Sequence, residues 1–120
     1  MPVSRLAECI VATREDIDAS GLLAPIVGHV GDGNFHVSVV LDPDDPEEVW
    51  RATAFNDRLV RRAIALEGTC TGEHGVGHGK SRFLALERGP EAVGVMRAVK
   101  SALDPGGVFN PGKVADGAQE

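Results

Sequence analysis

Apolar residues near the amino end recur at helical spacing. Leu6, Ile10 and Ile17 line one face, with Thr13 as the polar break in the stripe. That spacing predicts a helix from Ser4 to about Ser20, ended by Gly21 in the position of a C′ glycine. From Pro25 to Leu41 the pattern changes to two β-rich runs, Ile26–Val30 and Phe35–Leu41, separated by Gly31-Asp32-Gly33-Asn34. Asp-Gly between such runs predicts a hairpin with a type I′ turn, which needs positive φ at both central residues. Asp42-Pro43-Asp44-Asp45 then turns into a long helix. Asp45 is its cap, Pro46 its N1 residue, and Glu47 and Glu48 favour the positive end of its dipole. Ala52, Phe55, Leu59, Ala63 and Leu66 form the stripe predicted to be buried, while Arg51, Arg58 and Arg62 fall elsewhere.

A glycine-rich loop runs from Gly68 to Gly79. A last helix is predicted from about Pro90 to Leu103, with Val93, Met96, Val99 and Leu103 on one face, and Asp104-Pro105-Gly106-Gly107 stops it. The tail Phe109–Val114 leads into a frayed end. Helix, hairpin, helix, loop, helix is the order of an α+β fold, an antiparallel sheet with helices packed on one face. The 120 residues suit a single domain with a modest core of Val, Leu, Ile and Ala, since aromatics are only 4 % of the chain.

Charge narrows the partners. The formal net charge is −6 and the basic residues are scattered, so no basic stripe offers itself to nucleic acid. No apolar run approaches the roughly 18 residues of a membrane span, and the opening Met-Pro-Val-Ser-Arg has no secretory apolar region. Cys9 and Cys70 have no ligand-like spacing; two free thiols point to a reducing cytoplasm.

Candidate chemistry clusters in the hairpin and the glycine loop. With Asp32 and Gly33 as the turn residues, His29 faces His36 directly, and opposed Cβ atoms lie about 4.5–5.5 Å apart. Two imidazoles at that separation can converge on one cation, or form an ordinary surface pair. Ser38 shares their face, while Val30, Phe35, Val37, Val39 and Leu41 make the other, core-facing one. In the loop, Glu73 and His74 are adjacent and in extended backbone project to opposite sides. Glu73 would complete a His-His-Glu ligand set with an open position, leaving His74 as general base. Gly77-His-Gly-Lys80-Ser81 suggests a phosphate loop, but the position five before Gly79 is His74 and no apolar strand leads in, so the register fails. A structural connector without chemistry is the other reading of these glycines.

Three stretches together resemble a known family: His29-Val-Gly-Asp-Gly-Asn-Phe-His36, Thr69-Cys-Thr-Gly-Glu-His-Gly-Val-Gly-His-Gly-Lys80, and Leu103-Asp-Pro-Gly-Gly-Val-Phe-Asn-Pro-Gly-Lys113-Val. They are similar to the C-terminal domain of FAD-linked oxidases of the vanillyl-alcohol oxidase type. The likeness is greatest to D-lactate dehydrogenases with a non-nicotinamide electron acceptor and to the glycolate oxidase FAD subunit, and it runs from about Pro2 to Val114. The resemblance implies a ferredoxin-like cap fragment followed by C-terminal helices, and oxidation of a small 2-hydroxy acid to a 2-oxo acid. It implies that His29, His36 and Glu73 bind a divalent metal (Zn²⁺ or Mn²⁺), that His74 takes the hydroxyl proton, and that Asn110 approaches the FAD. Ser38 stands where D-2-hydroxyglutarate dehydrogenase has asparagine, which leans toward lactate as substrate. The family's FAD-binding domain is absent from these residues. The chain therefore reads as an excised domain or the product of a split gene, inactive alone, with an apolar patch where an FAD-binding domain or subunit docks. A metal-dependent hydrolase and a non-catalytic binding module are the two alternatives from other classes.

Overall fold

The computed structural model describes residues 1–116. They form two compact units, Met1–Thr69 and the residues from Cys70 onward. The frayed end expected in the tail lies, beyond Asp116, outside the described residues.

The first unit holds α1 (Val3–Ser20), β1 (Ile26–His29), β2 (Asn34–Val37) and α2 (Pro46–Ala65). Gly21 ends α1 as predicted: its φ of 62° lets its own N–H reach the Asp18 carbonyl and that of Leu22 the Ile17 carbonyl, both at 3.3 Å. The buried stripe of α1 is Leu6, Cys9, Thr13 and Ile17, so Cys9 joins it and Thr13 lies inside it. The Thr13 hydroxyl is satisfied there by the Arg62 guanidinium at 3.1 Å. Asp45 caps α2, accepting from the Glu47 and Glu48 amides at 2.8 and 3.3 Å. Ala52, Phe55 and Val60 are the buried residues of α2. Arg58 and Arg62, placed outside the apolar stripe, both bond Asp16 of α1, at 2.6 and 2.8 Å, and tie the helices together.

The strands form one two-stranded antiparallel sheet. Ile26 and Val37, with Leu22, Val39 and Leu59, pack against Ile17, Ala24 and Phe55, so the helices cover one face of the sheet. This is the α+β arrangement the hydrophobic pattern predicts.

The hairpin differs from the expected one in register. Gly28 pairs with Phe35, His29 with Asn34 and Val27 with His36, so the two histidines are not directly opposed. The connection is a four-residue loop, not a two-residue turn. Val30–Asp32 makes a 3₁₀ turn, closed by the Gly33 N–H on the Val30 carbonyl at 3.2 Å. Gly33 alone takes a left-handed φ, 66°, where type I′ needs two such residues. The Met1 backbone packs on this glycine, its nitrogen donating to the Gly33 carbonyl at 3.0 Å, and a Cβ at Gly33 would collide with the Met1 carbonyl oxygen. Val30, expected on the core face, is exposed in the turn. Both strands are shorter than expected. Beyond Val37 the Ser38 N–H still bonds the Pro25 carbonyl at 3.1 Å, but Pro25 has no N–H to return, and pairing resumes only as an isolated Leu23–Val40 bridge.

The second unit contains the glycine loop, α3 (Leu84–Arg88) and α4 (Pro90–Leu103). The short helix α3, unassigned from the pattern, follows a 3₁₀ turn over Ser81–Phe83 and ends at Gly89. Leu84, Val93 and Ala115 form its core, with Val76 packed against them. Val93 is the buried residue of the face predicted for α4; Met96, Val99 and Leu103 are exposed. Among the described residues, no helix is long and apolar enough to cross a membrane.

Candidate functional site

In the first unit the sheet has one covered and one open face. Side chains of an antiparallel pair alternate, so His29, Asn34, Val27 and His36 share the face opposite Ile26 and Val37. The register differs from the expected one by two residues, an even number, and the histidines therefore remain on a common face as a diagonal pair. Their ring centres are 6.0 Å apart and their planes meet at 87°. Two imidazoles ligating one cation at about 2.1 Å each have ring centres roughly 5 Å apart, so a small rotamer adjustment fits this pair to a shared ion. His29 is exposed and His36 half-buried, which leaves the pair accessible. Ser38, also exposed, continues the strand direction two residues beyond His36.

In the second unit, Glu73 and His74 lie in a turn closed by the Gly75 N–H on the Gly72 carbonyl at 3.2 Å, with Gly75 at φ 74°. The expected divergence of these side chains is not found. Extended backbone would send them to opposite sides, whereas the turn brings the Glu73 carboxylate within 3.7 Å of the His74 imidazole. Both are exposed.

The loop is fastened at several points. At its start the Cys70 N–H donates to the Glu87 carboxylate of α3 at 2.6 Å. Burial, reinforced by that carboxylate, pushes the Cys70 thiol up to about 11, which makes it an anchor and a poor nucleophile. Further on, Arg82 lies over the buried Phe83 ring, 4.6 Å from its centre. The Gly77 carbonyl accepts from the Val114 N–H at 2.7 Å. This last bond joins the glycine loop to the tail that carries Asn110.

Asn110 is exposed and takes a left-handed φ of 47°. Asparagine tolerates that conformation; Val114 at φ 56°, being β-branched, costs of order 1–3 kcal/mol. The strain is held by the bond to Gly77 and by Arg97, whose Nε donates to the Ala115 carbonyl at 2.8 Å. On the other side of Asn110, Asp104 accepts from the Val108 and Phe109 amides at 3.0 and 2.9 Å, while Lys100 bonds both Asp104 and the Phe109 carbonyl. The Lys100 ammonium beside Asp104 holds its carboxyl down to about 2. Asp104 reads in the sequence only as part of a helix stop. Lys100 four residues before it was the available signal for more. Glu87 left no signal, since its bond is to backbone seventeen residues away.

A family model for the C-terminal domain of FAD linked oxidases matches residues 1–114. The chain belongs to that family. Within it, the chain is 53 % identical over 116 residues to the probable mitochondrial D-lactate dehydrogenase of Danio rerio, covering 97 % of this chain and 23 % of that protein. It is 47 % identical to the mitochondrial D-lactate dehydrogenase (cytochrome) 1 of Saccharomyces cerevisiae, covering 95 % and 19 % respectively. The glycolate oxidase subunit GlcD of Bacillus subtilis is 34 % identical over 114 residues, covering 95 % and 24 %. This FAD linked oxidase C-terminal domain thus spans about a quarter or less of the length of these curated relatives. The family likeness takes in the histidine hairpin, the glycine loop and the Asn110 tail.

Proposed function

We propose that this chain is the metal- and base-bearing domain of an FAD-dependent dehydrogenase that oxidises a small 2-hydroxy acid, D-lactate or glycolate in type, to the 2-oxo acid. The observation that carries the reading is the pair His29 and His36, edge to face at 6.0 Å on the open side of the hairpin. The proposed ligands are the imidazole nitrogens of His29 and His36 and a carboxylate oxygen of Glu73, a donor set suited to Zn²⁺ or Mn²⁺. Such a cation would supply Lewis-acid chemistry at the substrate's 2-hydroxyl, and a flavin would supply the hydride-accepting chemistry.

This chain's own residues orient the substrate and move one proton. His74 takes the 2-hydroxyl proton on a ring nitrogen. Ser38 offers its hydroxyl to the substrate carboxylate and, being short, suits a small acid. Asn110 presents an amide, both donor and acceptor, to the flavin. The FAD is held mainly by a further domain or subunit. The two cysteines are free and buried, which fits a reducing compartment such as the cytoplasm.

Chelation tests the reading. Treating the full-length flavoprotein with a chelator should abolish flavin reduction by D-lactate or glycolate, and Zn²⁺ or Mn²⁺ should restore it. Undiminished reduction by a fully metal-depleted enzyme would refute it.

A further inference from the structure

Between α4 and the 3₁₀ turn at Val114–Asp116 the chain is irregular, yet it is held by several bonds to one side chain. Asp104, at the C-terminal end of α4, is buried although charged. One of its oxygens takes the Val108 N–H and the other the Phe109 N–H, and the Lys100 ammonium bonds the second oxygen as well. Lys100 also donates to the Phe109 carbonyl at 2.6 Å. Both the N–H and the C=O of Phe109 are therefore fixed, and Asn110 follows directly. A helix stop needs one bond, such as the one the Asp104 N–H makes to the Lys100 carbonyl at 2.8 Å. The additional bonds serve the loop beyond. They end where the backbone turns left-handed at Asn110, and on its far side Val114 and Ala115 are held by Gly77 and Arg97.

We propose that Asp104, together with Lys100, is a positioning residue that sets the orientation of the Asn110 amide toward the flavin. The inference rests on the reading above that Asn110 faces the flavin, and it adds the residues that aim it. Asp104 acts through Phe109 and does not touch the cofactor itself. Its carboxylate, held low by Lys100, stays charged across the working pH range, so the latch is permanent. Asparagine at this position cannot replace it: the amide has one acceptor oxygen and no charge, so its NH₂ meets either the Val108 N–H or the Phe109 N–H and the ammonium, and the bond to Lys100 loses its ion-pair strength.

The test compares Asp104→Asn, Lys100→Met, Lys100→Arg, Asn110→Ala and the double variant Asp104→Asn/Asn110→Ala in the full-length flavoprotein. Readouts are the visible absorption of the oxidised flavin and the rate of its reduction by D-lactate. Asn110→Ala should shift the flavin bands and slow reduction about tenfold, a loss of roughly 1.4 kcal/mol. Asp104→Asn should reproduce that shift and slowing, and the double variant should be no worse than either single change, because the two act through one group. Lys100→Met should give a smaller change in the same direction, which Lys100→Arg restores. Should Asp104→Asn fail to fold, Lys100→Met decides, since it leaves both backbone bonds to Asp104 in place. A lower melting temperature in the latch variants, with wild-type flavin bands and reduction rate, would overturn the inference while Asn110→Ala still responds. Wild-type behaviour of Asn110→Ala would instead overturn the underlying reading of Asn110, and this inference with it. The band positions need no substrate, so an error in the substrate class does not confuse the two failures.

Discussion

The two units place their candidate residues by different means. In Met1–Thr69 the histidines ride on a sheet whose other face is pressed against Ile17, Ala24 and Phe55. Their common orientation follows from strand alternation, and any even shift of register preserves it. In the unit beginning at Cys70, Glu73, His74 and Asn110 stand on loops, each held by particular hydrogen bonds: Gly75 to Gly72, Cys70 to Glu87, Phe109 to Asp104. Packing tolerates imprecision. A latch made of single bonds fails when one of its members is changed.

The comparison can be broken most forcefully at the chemistry. Replacing His74 by Ala in the full-length flavoprotein should lower substrate-driven flavin reduction by about 10²–10⁴-fold, the usual contribution of a general base. Its metal content should be unchanged, and equal loss of metal would make His74 a ligand. Stability comes next. Phe55 is 1 % exposed, so Phe55→Ala should cost about 3–5 kcal/mol in denaturant unfolding. Asp16→Ala removes the acceptor shared by Arg58 and Arg62 and should cost about 2 kcal/mol, read the same way.

The same carboxylate predicts a pH dependence. Chiefly through its hydrogen bond from Arg58, Asp16 titrates below its ordinary 3.8 in the folded chain. A depressed carboxylate contributes stability that is fully present above the unfolded pKa and disappears as pH falls through the folded one. This contribution should therefore be constant above about pH 5 and lost in acid, so the acid decline in stability should be shallower in Asp16→Asn. Smallest of all should be Leu103→Ser. This residue is 79 % exposed, so the change should move stability by no more than about 0.5 kcal/mol, against the large loss for Phe55.

What the sequence made legible follows the same division. The helix limits of α1 and α2, the Asp45 cap, the Gly21 stop and the α+β class all rest on local rules, and they are found in the fold. The hairpin was legible in kind but not in register. Asp-Gly favours a two-residue turn locally, whereas the packing of Met1 on Gly33 suits the longer loop. The common face of His29 and His36 survived because the difference was even. For α4 the periodicity was genuine, but Met96, Val99 and Leu103 have an open face where a core was expected. An apolar stripe reports that a face can be covered, not by what. Glu73 and His74 are legible by type but not in direction, because a turn and an extended segment both accommodate Thr-Gly-Glu-His-Gly. Asp104 and Glu87 bond backbone amides through their side chains, and no spacing rule exposes such bonds.

Metal analysis of the purified full-length flavoprotein beside its His29→Ala and His36→Ala variants bears most directly on the central assignment. Stoichiometric Zn²⁺ or Mn²⁺ in the parent, lost in both variants while the melting temperature changes little, is the predicted result. Undiminished metal in both variants, or a fully active parent without any, would contradict the assignment of the hairpin histidines.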